Sequence, residues 1–130
     1  ALPLNPVLYR PMSFPLGRII AERRLRDAED PSRVVRLLIG EPREVPDTPN
    51  RDYYCPLQIV GVGPEKVLCV GGADALQALE LAVLILPSVL ENLRKDYPGL
   101  GWVDAPPGDY GLNATVMSHP RNGEIGRANS

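Results

Sequence analysis

Along the first half of the chain, apolar and polar positions alternate in short stretches broken by proline, glycine and aspartate. In residues 18–26, Ile19, Ala21 and Leu25 fall on one side of an extended segment and Glu22, Arg24 and Arg26 on the other, the period of a half-buried β-strand. Arg23 interrupts the alternation. The stretch Asp27-Ala-Glu-Asp-Pro-Ser32 is turn chemistry, because Asp and Ser side chains bond back to the local backbone and Pro31 presets φ. Residues 33–39, with β-branched Val34, Val35 and Ile39, read as a second strand that completes a hairpin. Residues 40–52 carry Pro42, Pro46 and Pro49 among charged residues and form a polar connection. A third strand is predicted over 53–62, with Tyr53, Cys55, Leu57 and Ile59 on one side. Pro56 has no N–H to give to a ladder, which predicts an edge position or a bulge there. Gly61-Val-Gly-Pro-Glu65 makes the next turn, and residues 66–70 a fourth strand.

The period then changes from two to between three and four. Gly71 and Gly72 end the strand, Asp74 is placed to cap a helix, and Gln77 stands three residues on, the spacing of a capping box. Leu76, Leu79, Val83, Leu86, Leu90, Leu93 and Tyr97 recur at steps of three and four, one face of a helix of about 24 residues. Arg94 and Lys95 suit the negative end of its dipole, and Pro98-Gly99 stops it. Pro87 removes one backbone hydrogen bond mid-helix, at about 3 kcal/mol unless the helix bends, so a kink is predicted there. Leu81, Leu84, Ile85 and Val89 add apolar surface outside the main stripe. They require a cover: the N-terminal arm, the C-terminal segment or a second chain.

Pro3, Pro6, Pro11 and Pro15 make residues 1–17 an extended arm. Residues 101–104 suit a short strand. From Ala105 on the chain is polar and without period, and its last dozen residues are expected to be loose. The pattern as a whole predicts an α+β fold: an antiparallel four-stranded sheet of two hairpins, packed by one long C-terminal helix kinked near Pro87. The organisation is an arm over 1–17, one domain over 18–105 and a polar tail over 106–130.

Composition narrows the function classes. A chain of 130 residues has room for one core, and 44% apolar with 23% charged residues is ordinary for a chain that folds in water. The net charge of −2 gives no long-range pull toward nucleic acid or anionic lipid. Cys55 and Cys69 belong to no CxxC pair, so a closed zinc site is not expected, and both are read as reduced core residues, with a disulfide between them as the alternative. The run from Leu81 to Leu86 is far short of the roughly 20 residues of a membrane span. No basic and apolar leader is visible, and cytoplasmic is the expected location.

The segments Ile20-Ala-Glu-Arg-Arg-Leu25, Ile39-Gly-Glu-Pro42, Cys55-Pro-Leu-Gln-Ile59 and Gly72-Ala-Asp-Ala-Leu-Gln-Ala-Leu79 resemble the successive signatures of a small bacterial domain family of unknown function, over about residues 18–105. The resemblance implies a strand-rich N-terminal half and a C-terminal helix. It implies no catalytic or ligand residues.

A search for chemistry finds little. The sole histidine, His119, lies in the tail, away from any nucleophile and orienting acid. Gly71-Gly-Ala-Asp before a helix lacks the GxxxxGK[ST] or GxGxxG pattern, and Asp74 puts a carboxylate where a phosphate would sit. Glu41, Glu44, Asp47 and Asp52 are scattered through a polar loop with no metal-ligand spacing. Arg23, Arg24, Arg26, Arg33 and Arg36 all fall on the first hairpin, as a charged outer face or a docking patch. The expectation is a non-enzymatic protein-interaction domain without cofactor or metal. An immunity-type protein that masks a toxin is its concrete form, and Arg24, Arg26, Arg36, Leu81, Ile85 and Val89 are the contact residues. Two alternatives stand beside it. One is a ligand-binding domain or minor enzyme with a pocket between sheet and helix, its mouth at Tyr53, Tyr54, Trp102 and Tyr110. The other is a structural homodimer through Leu81, Ile85 and Val89. Nucleic acid and membrane are not expected partners.

Overall fold

The computed structural model describes residues 7–8, 14–47 and 49–112. The four expected strands are its longest: β2 (Ile19–Asp27), β3 (Val35–Gly40), β5 (Tyr53–Val60) and β6 (Leu68–Gly72). Short strands β1 (Val7–Leu8), β4 (Arg43–Glu44) and β7 (Leu100–Trp102) widen the sheet. All pairings are antiparallel, in the order β1-β6-β5-β3-β2-β7, with β4 joined to β5 off this path. The two expected hairpins, β2–β3 and β5–β6, thus lie side by side, and the four-stranded count is corrected to six strands along the path plus β4. Two or three residues are too few to show a period of two, so β1 and β4 leave no signal of their own in the sequence.

Period-two alternation sorts side chains onto the two faces. Leu25, Val35, Leu37, Ile39, Cys55, Leu57, Ile59 and Val70 join helix residues in one buried cluster. On the opposite face Tyr54 and Cys69 join Phe14 and Val45 in a smaller one, and Phe14 stacks on Tyr54 with ring centroids 4.2 Å apart. Cys55 and Cys69 are free and fall into these two separate clusters, which explains the absence of a bridge between them.

Pro56 corrects the edge-strand expectation for β5, which lies inside the sheet between β3 and β6. The ladder with β3 stops at Leu57, opposite Ile39, and pairing on β5 resumes at Tyr54 with Arg43 of β4. Pro56 sits at this break, where a missing donor is tolerated.

Helix α1 runs from Ala75 to Arg94, unbroken through Pro87. Its start follows the capping-box expectation: Gln77 N donates to Asp74 Oδ1 (2.8 Å) and Ala73 N donates to Gln77 Oε1 (2.7 Å). The buried face follows the expected stripe in part: Leu86 and Leu90 belong to the main cluster, and Leu79, Leu93 and Tyr97 pack against it. Ala78, Ala82, Leu86 and Leu90 are buried, whereas Leu76 is 65% and Val83 41% exposed. In the first turns the buried positions are taken by small residues, Ala78 and Ala82, and in the later ones by Leu86 and Leu90. Gly72 of β6 has no side chain between it and the backbone of Gln77 and Ala78, so the first turns of the helix settle directly on the sheet. Leu81, Ile85 and Val89 are half-buried against the main cluster, so the sheet supplies part of the cover the sequence required. By length and composition α1 could cross a bilayer, a property the count of consecutive apolar residues had missed. Here its buried stripe lies on the sheet.

The packing continues to Leu112. Tyr110 is buried and Leu112 rests on the main cluster, while His119 lies outside the described residues.

Candidate functional site

Of the five hairpin arginines, three are tied to ion pairs or to residues 110 and 111 on the helix side of the sheet. Arg33 pairs with buried Asp27 (3.2 Å) and with Asp30 (3.4 Å), and its guanidinium lies 5.1 Å from the Tyr97 ring centre. Asp27 also accepts from Glu29 N (2.9 Å), which closes the β2–β3 turn. Arg23, on the helix side, donates to Tyr110 O (3.2 Å) and Gly111 O (2.7 Å) and lies 4.1 Å from the Trp102 ring centre. Arg36 donates to both oxygens of Glu22, at 2.7 and 3.1 Å, and this hydrogen-bonded guanidinium holds the Glu22 carboxyl below the usual carboxylate range. Such fork-to-fork pairs fix both side chains.

Arg24 and Arg26 remain on the outer face. Arg24 stands directly across from Arg36 in the ladder and forms no ion pair among the described residues. Arg26 donates to Ala105 O (3.0 Å) and forms no ion pair among the described residues. The structure therefore places Arg24, Arg26 and Arg36 on the same outer face, with only Arg36 in an ion pair among the described residues, while the charge of Arg24 also acts on Glu22. It does not bring them to Leu81, Ile85 and Val89, which lie across the sheet on the helix.

Next to these arginines β2 is only partly covered. β7 pairs with Leu25, Arg26 and Asp27 alone, so among the described residues no strand adjoins 19–24 on the side away from β3. Ala28 N donates to Gly99 O on that side (2.8 Å). Residues two apart point the same way in an antiparallel ladder, so Arg24 and Glu22 turn their amides toward the uncovered edge. Ile19 and Ile20 are 44% and 42% exposed there. Val83 of α1 and Leu112 meet Ala21 and Arg23 around a shallow hollow of about 140 Å³. The sequence showed the strand but not its open edge, because the length of β7 is not written in β2.

The four aromatic residues expected at a pocket mouth are dispersed. Tyr53 is half-buried on the main cluster, and Tyr54 is on the opposite face under Phe14. Trp102 is exposed beneath Arg23. The buried Tyr110 hydroxyl donates to Glu91 Oε2 (2.6 Å); burial, reinforced by that carboxylate, holds it far above the ordinary phenol range. A cavity between sheet and helix exists elsewhere, against the β5–β6 turn, and none of the four lines it.

Candidate chemistry is sparse among the described residues, where no group of three or more His, Cys, Asp or Glu is arranged to hold a metal. Asp74 is engaged as the helix cap. Glu41 faces Arg43 (3.2 Å) and Arg18 (3.9 Å). Burial, with Cys69 adding to it, pushes the Cys55 thiol up to about 11, and burial also raises Cys69. Neither is a ready nucleophile at neutral pH. Both are expected to react with a disulfide reagent at pH 8 at least about a hundredfold more slowly than in denaturant, as opening must precede attack. Comparable rates by absorbance with and without denaturant would contradict the buried placement.

A family model described as a domain of unknown function, DUF6968, matches residues 21–114. No curated protein and no solved structure matches the chain.

Proposed function

The chain belongs to the DUF6968 family of domains of unknown function, and we propose that it serves as a non-enzymatic protein-interaction domain of the bacterial cytoplasm. The observation that carries this reading is the uncovered stretch of β2, with Ile19 and Ile20 exposed and Arg24 and Arg26 behind it. An uncovered strand edge offers unpaired backbone groups to an incoming strand. Two arginines that form no ion pair among the described residues favour an acidic extended segment, whose backbone pairs with Glu22 and Arg24. The kink at Pro87 belongs to the same proposal: proline withholds a donor from the Val83 carbonyl, four residues earlier and beside this edge. An immunity-type protein that masks a toxin fits the reading, since a domain that blocks by contact needs no chemistry of its own.

The test uses Arg24→Glu with Arg26→Glu and leaves Arg36 intact, because its pair with Glu22 belongs to the sheet. A partner captured from bacterial lysate at equal stoichiometry is purified and titrated by calorimetry. The double variant is expected to bind at least about tenfold more weakly, with a shallower salt dependence. Equal affinity and equal salt dependence would overturn the assignment of this edge.

A further inference from the structure

On the other flank of α1, a cavity of about 400 Å³ opens between the β5–β6 turn and the second half of the helix. Its size is within the range of small-molecule sites. Ile59, Leu68, Val89 and Leu93 give it apolar walls, and Lys66, Ser88 and Asn92 supply polar groups.

The wall formed by the turn is held in place before any ligand arrives. Gly61 N donates to Glu65 Oε2 (3.0 Å), Gln58 Nε2 donates to Glu65 O (2.8 Å), and Gly63 N donates to Tyr97 Oη (3.2 Å). Preformed walls spare a ligand the cost of ordering them. These bonds also fix where the carboxylate of the lining sits. The one carboxylate in the lining, Glu65, is engaged by Gly61 N within the turn, whereas Lys66 makes no ion pair among the described residues. A cation with a hydroxyl and an amide beside it matches a carboxylate, and the apolar walls match an alkyl chain.

We propose that this cavity binds a medium-chain aliphatic carboxylate, with the alkyl chain along Ile59, Leu68 and Val89 and the carboxylate held at Lys66 by Ser88 and Asn92. This site is separate from the β2 edge, and each reading stands or falls without the other.

The probes are hexanoate, octanoate and decanoate below their micellar concentrations, titrated into the ¹⁵N-labelled chain. Amide shifts are expected around Val62, Lys66, Ser88 and Asn92, with affinity rising about fourfold per added methylene until the walls are filled. Ser88→Trp, at an exposed position that tolerates the change, is expected to fill the opening and abolish the shifts. Lys66→Glu is expected to weaken octanoate at least about tenfold and leave 1-octanol unaffected. Absence of shifts at millimolar octanoate would overturn the proposal, as would shifts centred elsewhere or octanoate binding unchanged in both variants.

Discussion

Leu86→Ala is expected to lower the stability of the fold by about 3 kcal/mol, and Leu76→Ala by less than about 0.5 kcal/mol. Both are leucines on α1, and the sequence puts them on one stripe. The structure separates them: Leu86 is 1% exposed inside the main cluster and Leu76 is 65% exposed. Removing the Leu86 side chain loses its transfer energy and leaves a void that the strands beneath cannot close, since they are held by their ladders. Removing that of Leu76 uncovers little. In a domain of this size the first change corresponds to a fall in melting temperature of at least about 10 °C and the second to a degree or two. Urea and thermal unfolding of both variants, followed by circular dichroism, check the pair. Equal costs would place Leu76 on the buried face with Leu86 and contradict the packing of the first turns by Ala78 and Ala82.

That contrast shows where the sequence was legible and where it was not. Signals that act within a few residues read correctly: the Asp74–Gln77 cap, the turn after Asp27, and the alternation that puts Cys55, Leu57 and Ile59 on one face. Each depends on local geometry alone. Signals that depend on a neighbour did not. Which residues of the first turns of α1 meet the sheet is set by how closely the helix can approach Gly72, and Ala78 and Ala82 permit an approach that Leu76 and Val83 would block. The missing donor of Pro56 predicts an edge or a bulge, and the sequence does not choose between them because the break between β3 and β4 beside it is not visible there. The period predicts a helix of about 24 residues and the helix has 20, because Tyr97 keeps the period beyond Lys95 although the backbone has already turned.

The candidate sites follow the same division. The clustering of arginines on one hairpin was readable, but what each of them contacts was not. That depends on cross-strand partners: Glu22 for Arg36, Asp27 and Asp30 for Arg33, and the carbonyls of Tyr110 and Gly111 for Arg23. The four aromatic residues attracted attention by type, and the structure spreads them over both faces of the sheet. The cavity beside the β5–β6 turn is built from aliphatic residues and from Ser88 and Asn92 on the helix. The signal that could have found it is the pair of polar positions four apart on an otherwise apolar flank, next to a turn with two glycines.

Gly72→Val tests the arrangement on which both sites depend. The backbone of Gly72 is not in the left-handed region, so the residue is required by space and not by conformation. A side chain there would meet the main chain of Gln77 and Ala78, and main chain inside a capped helix cannot rotate away as a side-chain end can. Either the first turns of α1 lift from β6, or β6 shifts against its pairing with Tyr53 of β5. Both undo packing around Ala78 and Ala82, and the expected cost is at least about 3 kcal/mol. Ala at position 72 is expected to fall between glycine and valine, since its single methyl meets the same atoms with less bulk beyond them. Because α1 carries Val83 to the β2 edge and Ser88 and Asn92 to the cavity, any Gly72→Val chain that still folds is expected to bind octanoate and the edge partner more weakly. Neither of those contacts includes position 72. A Gly72→Val chain with wild-type stability and wild-type binding would show that the helix stands farther from the sheet, and that neither site is held by this close approach.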